Sequence, residues 1–378
     1  MWSQWQVSLL IFVIDQKRRN VIVKVGKRGR SFSRKTISFN TEQKIEMIKK
    51  EYSAPLRWGI IGCGDVTEVK SGPAYQKTVG FELKAVMRRN GNKVKDYALR
   101  HGVEKYYTDA DALINDVEID AVYIATPPDS HLFYALKVAA AGKVCCIEKP
   151  LAPSYEESKK IALAFKKNEI PLFVAYYRRS LPRFTQIREW LLNHKIGDVR
   201  HINWHLSESP NTMDLSGTYN WRTDPKVAPG GYFDDLASHG IDLFIYLLGE
   251  IQEVSGISLN QQGLYAAKDA ISACWLHQGG VTGVGVWNFG IEPMDRVEIF
   301  GSKGKIQFSV FEENPLVLNK EGEEVELSIT HPKHVQMTHV EDLKKHLLEG
   351  NFSHPSTGET AVHTSWVMDQ ILRHRHQA

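Results

Sequence analysis

Short apolar runs alternate with amphipathic segments between residues 56 and 179. Six of the runs have the β-branched and aromatic composition of strands: LRWGIIGCG, FELKAVMRR, KYYT, IDAVYIAT, KVCCIE and PLFVAYYRR. The segments between them, such as KVKDYALRHG, SHLFYALKVAAAG and SYEESKKIALAFKKNE, carry apolar residues at helical spacing. Because strands that alternate with helices are typical of a parallel sheet covered by helices, we predict an α/β domain in the first half of the chain.

Beyond Asp198 the pattern changes, and strand-like segments punctuated by turn residues dominate. They are VRHINWHLSE, EVSGISL, DAISACWLH, VTGVGVWNFG, RVEIFGS, GKIQFSVF and LVLNKEG. One segment between the first and the second of these, GGYFDDLASHGIDLF, has the apolar pattern of a buried helix yet carries Asp235, His239 and Asp242. Titratable side chains are rarely buried in an apolar helix unless they are paired or used, so this segment is a candidate for chemistry.

Length and composition fit a globular protein of two domains. The 378 residues are 42% hydrophobic and 24% charged, close to the averages of soluble globular proteins. Residues 1–46 hold ten Lys or Arg against three Asp or Glu, an excess of positive charge larger than the +3 of the whole chain. The remaining residues are therefore mildly acidic. Nucleic-acid binding by the main body is therefore not expected. We expect residues 1–46 to be a disordered extension, or the product of a start assigned upstream of Met47.

Cysteine usage and the lack of long apolar runs point to a compartment. The cysteines show neither CxxC pairing nor metal-ligand spacing, which predicts buried free thiols in a reducing, cytoplasmic setting; they are Cys63, Cys145, Cys146 and Cys274. The apolar run at residues 7–14 is far shorter than the roughly 20 residues that span a bilayer, so neither a signal nor an anchor is expected. The histidines of HINWH and HPKH are the alternative of a metal site, but no Cys or carboxylate cluster completes either, and no metal is expected.

A glycine turn ends the first predicted strand. Gly62 and Gly64 separate that strand from a helix, where missing side chains let backbone N–H groups approach a pyrophosphate at the positive helix end. A plain tight turn explains GxG alone about as well, but the strand-turn-helix context and a second strand some twenty residues on favour a dinucleotide site. The third glycine position is occupied by Thr67, which puts the closeness of helix packing in doubt more than phosphate binding.

The end of the second strand bears on the choice of dinucleotide. NAD sites have a carboxylate there for the ribose 2′-hydroxyl, and none lies between Lys84 and Asn90. Arg88 and Arg89 occupy the place, and guanidinium groups suit a 2′-phosphate, although an Arg pair is usually a solvated surface feature. NADP is therefore the expected cofactor, with NAD as the alternative.

Three further motifs carry a resemblance to a known family. ATPPDSH (125–131), EKP (148–150) and GGYFDDLASHGID (230–242), in that order, resemble the Gfo/Idh/MocA oxidoreductases. EKP alone is common by chance, but its place after the fifth strand and the later D-x-x-x-H preceded by a glycine pair make a specific combination. The resemblance runs from about Leu56 to the C-terminus.

This resemblance implies a fold. It predicts a Rossmann dinucleotide-binding domain at residues 55–177 and an α/β domain at residues 178–378, built on a large, mostly antiparallel open sheet. The second domain would bind substrate and form a homodimer or homotetramer through that sheet. Whether the last helices pack back on the first domain is left open.

Cofactor contacts are implied at the ends of several strands. The two prolines of ATPP cannot continue a helix or a sheet ladder, so the chain bends at the carboxyl edge where ligands lie in such sheets. The expected cofactor-binding residues are Gly62, Gly64, Asp65, Val66, Arg88, Arg89, Ala125, Thr126, Pro127, Pro128, His131, Glu148 and Lys149. The resemblance also suggests a cis peptide between Lys149 and Pro150.

Asp235, His239 and Asp242 are spaced i, i+4 and i+7, which predicts one stripe of a helix. A histidine satisfied by a neighbouring carboxylate is the purely structural alternative. The family pattern matches Asp235, His239 and Lys149 as catalytic residues, and Asp242 is expected to be a supporting or structural partner. Removing a hydride from a C–OH carbon leaves a proton that a base must take, and imidazole titrates near neutral pH, so His239 is the expected acid/base. Lys149 would stabilise charge on the substrate oxygen and Asp235 would orient these groups, although the roles of lysine and histidine could be exchanged.

Substrate contacts are expected from two loops and the same helix. Tyr176, Tyr177, Arg178 and Arg179 close the sixth predicted strand, and YNWRTDP (219–225) precedes the glycine pair. Aromatic faces and guanidinium donors suit a sugar or polyol, acidic ones included, although surface loops carry such residues without purpose too. The expected substrate-binding residues are Tyr177, Arg178, Trp221, Arg222, Asp235 and His239.

The predicted function is that of an oxidoreductase. It would transfer a hydride between NADP(H), or NAD(H), and a hydroxyl or carbonyl carbon of a sugar, polyol or related small molecule. The alternative is a non-catalytic sensor of nucleotide and sugar that keeps the fold. The presence of Lys149, Asp235 and His239 together argues against that alternative.

Overall fold

Two short strands near the N-terminus, β1 (Leu10–Asp15) and β2 (Asn20–Val25), pair antiparallel in the computed structural model. The structure describes residues 10–15, 20–25, 52–350 and 352–373. It divides into two units, residues 1–51 and 52–378. Of the predicted extension, residues 1–46, only this hairpin is described. The expectations that the rest of the extension is disordered and that the protein starts at Met47 lie outside the described residues.

Six parallel strands form the first sheet of the main unit, in the order β5-β4-β3-β6-β7-β8. They are β3 (Leu56–Ile61), β4 (Phe81–Met87), β5 (Lys105–Tyr107), β6 (Ala121–Ile124), β7 (Val144–Ile147) and β8 (Leu172–Val174). The intervening helices are α1 (Asp65–Val69), α2 (Gly72–Lys77), α3 (Gly91–His101), α4 (Ala110–Asn115), α5 (His131–Ala140) and α6 (Tyr155–Lys167). The strand order reverses between β3 and β6, which is where sheets of this type bind dinucleotides. The predicted parallel sheet is confirmed.

The sixth strand is shorter than the sequence pattern predicts. It ends at Val174, and the tyrosines and arginines predicted to close it lie in a following turn whose core, Tyr177–Ser180, is a 3₁₀ helix. The apolar character of this segment comes from burial beneath the second domain rather than from a continuing ladder, because Tyr177, Arg178 and Arg179 are all buried outside the sheet.

A second, eight-stranded sheet follows, in the order β10-β11-β12-β9-β13-β14-β15-β16. Its strands are β9 (Val199–Ser207), β10 (Ile251–Leu259), β11 (Ala270–His277), β12 (Thr282–Asn288), β13 (Met294–Gly301), β14 (Gly304–Phe308), β15 (Leu316–Lys320) and β16 (Glu323–Leu327). The accompanying helices are α7 (Pro182–Leu192), α8 (Thr212–Leu215), α9 (Ser238–Leu248), α10 (Met337–Lys344) and α11 (Gly358–Leu372). Only β9 and β12 pair in parallel, so the predicted large, mostly antiparallel sheet is confirmed. The apolar pattern does not indicate β16, whose sequence is EEVEL, because an exposed edge strand needs few apolar residues.

One face of the second sheet packs on α9, and the other is open. Gly240 on α9 lies against Trp204, where an added Cβ would be 2.3 Å from the indole ring, so the helix can approach the sheet only with glycine at this position. Strand alternation directs Ala273 and Trp275 into this core and Cys274 outward. The expectation that all four cysteines are buried is therefore wrong for Cys274.

The C-terminal helices pack on the first domain. Val340 and Leu343 of α10 join the core beneath one face of the parallel sheet, and Ala361 of α11 joins the core on the other face. Two buried histidines lie in this region, with the rings of His339 and His354 4.7 Å apart between centroids. No helix among the described residues is long and apolar enough to cross a membrane.

The buried histidines predict acid sensitivity. Burial lowers the pKa of His354 to about 4 and holds the pKa of His339 well below its ordinary 6.5. In the unfolded chain these histidines bind protons near pH 6.5, whereas in the folded chain His354 binds one only near pH 4. The free energy of unfolding is therefore highest above pH 6.5 and falls as the pH is lowered towards 4. We expect His354→Gln, which keeps polar groups but does not titrate, to reduce the loss of unfolding free energy between pH 7 and pH 5 by about 2 kcal/mol.

Urea denaturation at the two pH values measures this difference directly. His194→Asn, which removes an exposed histidine, is the control and should leave the difference unchanged. An equal pH dependence in the wild type and His354→Gln would contradict the assignment.

Candidate active site

The carboxyl ends of β3, β4 and β6 enclose a groove at the switch point of the first sheet. A cavity of about 250 Å³ lies there, lined by Gly62, Cys63, Gly64, Met87, Arg88, Arg89, Ala125, Thr126, Pro127 and Tyr134. Gly62 has a φ of +93°, and an added Cβ would lie 2.7 Å from Thr126 and 2.9 Å from the Ala125 backbone. The absent side chain is what lets the two strand ends approach each other. The cavity therefore has the close backbone approach that a dinucleotide cradle needs.

Thr67, at the third glycine position, does not loosen this end of the fold. Its hydroxyl donates to the Gly64 carbonyl at 2.8 Å, and its own carbonyl accepts from the Tyr97 hydroxyl at 2.9 Å. Helix α1 ends after five residues and α2 restarts at Gly72, where an added Cβ would lie 2.3 Å from the Thr67 carbonyl oxygen. The close packing normally associated with a third glycine is thus supplied by Gly72, which sequence spacing did not indicate.

Both arginines at the end of β4 border the cavity. Arg88 donates to the Cys63 carbonyl at 3.1 Å, which fixes its side chain beside the glycine turn, while Arg89 is exposed. Asp65 and Val66 begin α1 directly after the turn.

Lys149 meets a carboxylate from the second domain. The residue follows β7, and its peptide bond to Pro150 is cis, as the resemblance suggested. Its ammonium donates to the backbone carbonyl of Asp235 at 2.8 Å and makes a short contact with the carboxylate of the same residue. The other carboxylate oxygen accepts from Arg222 Nε at 2.6 Å. Burial alone would raise the pKa of Asp235, but the two cations outweigh it and hold that pKa well below its usual range.

His239 lies beside this cluster in an aromatic setting. His239 is only 5% exposed, and its ring lies edge-on to the rings of Tyr177 and Phe311 at centroid distances of 5.4 and 5.9 Å. Its Nδ1 has no hydrogen-bond partner within the described part of the chain. Burial first, then the positive charge of Arg178, Lys149 and Lys70, lowers its pKa well below 6.5. The imidazole is therefore neutral and able to accept a proton.

Asp242 serves a different purpose. Its carboxylate accepts from Arg179 at 2.6 and 2.7 Å and from the Thr364 hydroxyl at 2.9 Å, all three side chains being buried. The predicted single stripe is wrong, because Phe233–Ala237 is a π-helical segment and α9 begins only at Ser238. The wider turn gives Asp235 a different direction from the α-helical residues that follow it.

Two predicted cofactor residues are hydrogen-bonded to other parts of the protein and are absent from the lining of the cavity. Both ring nitrogens of His131 face backbone carbonyls, Thr126 at 2.8 Å and Pro150 at 3.1 Å, so the ring ties the loop after β6 to the cis-peptide loop. Glu148 accepts from Tyr123 and, at 2.7 Å, from Gln336, and it also accepts from the Lys149 backbone. These residues hold the two loops in place rather than lining the groove. Gln336 carried no signal in the sequence.

The predicted substrate residues divide between the site and the interior. The Arg222 guanidinium, which binds Asp235, lies 4.4 Å from the centre of the Trp221 ring, and Trp221 lines a small pocket with Asp235 and Pro150. Tyr177 and Arg178 lie next to His239, whereas Arg179 is committed to its buried ion pair.

The two histidine motifs do not assemble a metal centre. His201 contacts Thr282, and His334 contacts Lys77 and the Val69 carbonyl. Within residues 52–350 and 352–373, no group of three or more His, Cys, Asp or Glu side chains could hold a metal ion.

Known proteins match both domains. A family model described as "Oxidoreductase family, NAD-binding Rossmann fold" matches residues 56–176, and one described as "GFO/IDH/MocA C-terminal domain" matches residues 184–307. An oxidoreductase named P35 from Formosa agariphila is 40% identical over 316 residues, which are 83% of this chain and 97% of that protein. The chain belongs to the GFO/IDH/MocA oxidoreductase family.

Two further relatives extend the comparison. Myo-inositol 2-dehydrogenase from Thermotoga maritima is 27% identical over 275 residues, covering 70% of this chain and 79% of that protein. The solved structure of levoglucosan dehydrogenase with NADH and levoglucosan matches with a TM-score of 0.73 at 23% identity, over 84% of this chain and 96% of that chain. Membership in the GFO/IDH/MocA family confirms the resemblance and the fold, and it makes this protein an NAD(P)-dependent oxidoreductase.

The geometry separates catalytic from structural acids in this GFO/IDH/MocA oxidoreductase. Asp242→Asn should leave the Arg179 guanidinium buried without a counter-charge and cost about 3–5 kcal/mol of unfolding free energy. Urea denaturation measures this cost. Turnover per folded molecule should change little even though the free energy of unfolding falls, because Asp242 contacts neither Lys149 nor His239 in the structure.

The double variant Arg179→Met/Asp242→Leu removes both charges and should be more stable than Asp242→Asn, since no unpaired charge remains. A stable but inactive Asp242→Asn would show that this carboxylate belongs to the catalytic machinery instead.

Proposed function

We propose that this enzyme transfers a hydride between NADP(H) and a hydroxyl or carbonyl carbon of a sugar or polyol. The observation that carries the proposal is the meeting of Lys149, from the first domain, with Asp235 and the neighbouring His239, from the second. A neutral imidazole can act as the base, and a cation held by a carboxylate can stabilise charge on the substrate oxygen, which are the two functions that alcohol oxidation needs from the protein.

The groove fits the cofactor that this family uses. Its glycine cradle admits close backbone approach to a pyrophosphate, and Arg88 and Arg89 border it where a ribose 2′-phosphate would need positive charge. We propose NADP as the preferred dinucleotide, with the glycines, both arginines, Asp65, Val66 and residues 125–128 as its contacts. The bound nicotinamide would supply or accept the hydride.

The side chains of the second domain would handle the proton. His239, neutral and without a partner at Nδ1, can take the proton that the substrate hydroxyl releases. Lys149 would stabilise negative charge on the same oxygen, and Asp235 keeps the ammonium in place. With the roles exchanged, Lys149 would donate the proton and His239 would orient the hydroxyl.

The substrate class rests on both the relatives and the lining. Inositol and levoglucosan, named for the two compared dehydrogenases, are polyhydroxy compounds. Trp221 and Tyr177 offer aromatic faces near the catalytic residues, and Arg222 offers a guanidinium. Such surfaces suit hydroxylated rings. The intact catalytic set disfavours a non-catalytic sensor.

We also propose a homodimer or homotetramer formed through the open face of the second sheet. Exposed apolar side chains occur on three strands of this sheet: Ile257 on β10, Val284 and Val286 on β12, and Met294 on β13. Clustered apolar side chains on one surface commonly mark an interface.

The four cysteines form no disulfide, which supports our proposal of a reducing, cytoplasmic compartment.

Lys149→Ala and His239→Ala test the catalytic assignment. Each should lower kcat at least about 100-fold, because a proton-transfer or charge-stabilising group is lost, while NADPH binding followed by fluorescence stays within a few-fold of wild type. Lys166→Ala, at an exposed lysine paired with Glu359, is the control. Near-normal turnover in either active-site variant would refute the role of that residue.

Arg88→Ala tests the cofactor assignment. Loss of a charge-assisted contact to the 2′-phosphate should lower kcat/KM for NADP at least about 10-fold and leave that for NAD nearly unchanged. Arg200→Ala, an exposed arginine on β9, is the control. An unchanged NADP to NAD ratio would sink the assignment.

A further inference from the structure

Arg178 places an uncompensated positive charge beside the catalytic histidine. Its guanidinium lies 5.0 Å from the centre of the Tyr177 ring and 4.5 Å from the centre of the Phe311 ring. The same two rings contact His239. We propose that Arg178 binds a carboxylate of the substrate, so that the enzyme acts on an acidic sugar such as a uronate or aldonate rather than on a neutral one. This inference rests on the proposed function, since it specifies the substrate of the same site.

The hydrogen bonding of Arg178 leaves donors unused. Nε donates to the Val310 carbonyl at 3.0 Å, whereas Nη1 is buried and has no partner among the described residues. The residue as a whole is only 6% exposed. Buried donors are normally paired, so an orphan N–H next to a catalytic residue indicates a partner that arrives from outside.

Two other arginines near the site are each bound by a carboxylate. Arg179 is bound by Asp242 through two hydrogen bonds, and Arg222 is bound by Asp235. Arg178 forms no salt bridge with any residue in the described ranges. Desolvating an unpaired guanidinium is costly, so an unpaired one persists where function requires it.

A carboxylate in the same region does not fill this role. Burial raises the pKa of Asp295, and the charge of Arg178 offsets only part of that rise. One oxygen of Asp295 accepts from Trp204 Nε1 at 3.0 Å and the other from the Phe311 backbone at 2.6 Å. That carboxylate is therefore directed to the indole and the backbone.

The positive charge extends beyond one side chain. Arg183 is fully buried, with Nη2 donating to the Asn314 carbonyl at 2.9 Å and with Nε and Nη1 lacking partners in the described part of the chain. Arg178 and Arg183 both act on the pKa of His331, which places them in one region. Burial lowers the pKa of Arg183, whereas Glu313 and Asp295 raise it, so carboxylates already act on Arg183 and the anion site is assigned to Arg178 alone.

The shared rings fix the scale of the ligand. The His239 ring lies 5.4 and 5.9 Å from the centres of the Tyr177 and Phe311 rings, and the Arg178 guanidinium lies 5.0 and 4.5 Å from the same centres. The two groups are therefore close enough for a single sugar to contact both. A carboxylate matches the planar guanidinium edge, and a uronate presents one on the carbon next to its ring.

The test compares matched substrates on the full-length enzyme with both dinucleotides. Glucuronate is paired with glucose, galacturonate with galactose, gluconate with sorbitol, and glucose 6-phosphate is added as a separate arm. We expect kcat/KM for the acids to exceed that for their neutral partners at least about 10-fold in the wild type. In Arg178→Met, whose side chain still fills the space between the rings, this ratio should fall towards one. Arg178→Lys, which keeps charge without the planar fork, should lie between them.

Arg188→Met is the matched control, because Arg188 is an exposed arginine that stacks on Tyr246 away from His239. It should keep the wild-type ratio. A ratio that does not change in Arg178→Met, or a preference for the phosphate arm, would overturn the inference.

Binding separates this inference from the proposed function. Calorimetric titration of glucuronate and galacturonate into the enzyme with NADPH should show binding in the wild type and at least about 10-fold weaker binding in Arg178→Met. Acid binding that depends on Arg178, with no turnover of any sugar, would support the carboxylate-binding role of Arg178 and refute the oxidoreductase assignment to sugars. Turnover of neutral sugars with no preference for acids and no such binding would do the reverse, and absence of both would refute both.

Discussion

A buried carboxylate shared by two cations joins the two domains at the active site. The Asp235 carboxylate accepts hydrogen bonds from Lys149 of the parallel-sheet domain and from Arg222 of the loop before its own helix. An unpaired carboxylate at this depth would be strongly disfavoured, and so would an unpaired ammonium. Each group is therefore stable only when the domains are packed as observed, and the position of the reactive ammonium is set by a residue 86 positions away in sequence.

A second layer of contacts fixes the loops that carry this pair. His131 bridges two backbone carbonyls on different loops, and Glu148 is clamped by Tyr123 and Gln336. Gln336 comes from the segment just before α10, so the C-terminal part of the chain returns to stabilise the strand end that bears Lys149. Such contacts raise the precision of a site without touching substrate, because a small displacement of a catalytic group lowers the rate strongly.

The sequence predicted the features that depend on local chemistry. Strand and helix alternation, the glycine turn and the motif residues follow from periodicity and side-chain type, and the structure places Lys149, Asp235 and His239 together. What failed depended on local geometry that a helical wheel cannot represent. The π-helical segment at Phe233–Ala237 redirects Asp235, and α1 stops early so that Gly72 takes over the packing expected at Thr67.

Long-range partners were the other limit. Arg178 and Arg179 are adjacent and identical in type, yet one is paired with Asp242 and the other is left without a carboxylate. Nothing in the dipeptide separates them, because the difference lies in what α9, α11 and the loop around Phe311 bring alongside. Gln336 was invisible for the same reason. The fate of a charged side chain is decided by tertiary neighbours.

The charge around His239 also couples binding to base strength. Burial and three cations lower the pKa of this imidazole in the free enzyme, which makes it neutral but also a weak base. An anionic group placed against Arg178 would offset part of that positive field and raise the pKa towards neutrality. Since a general base is most effective when its pKa lies near the working pH, an acidic substrate would strengthen the base as it binds, and a neutral analogue of the same shape would not.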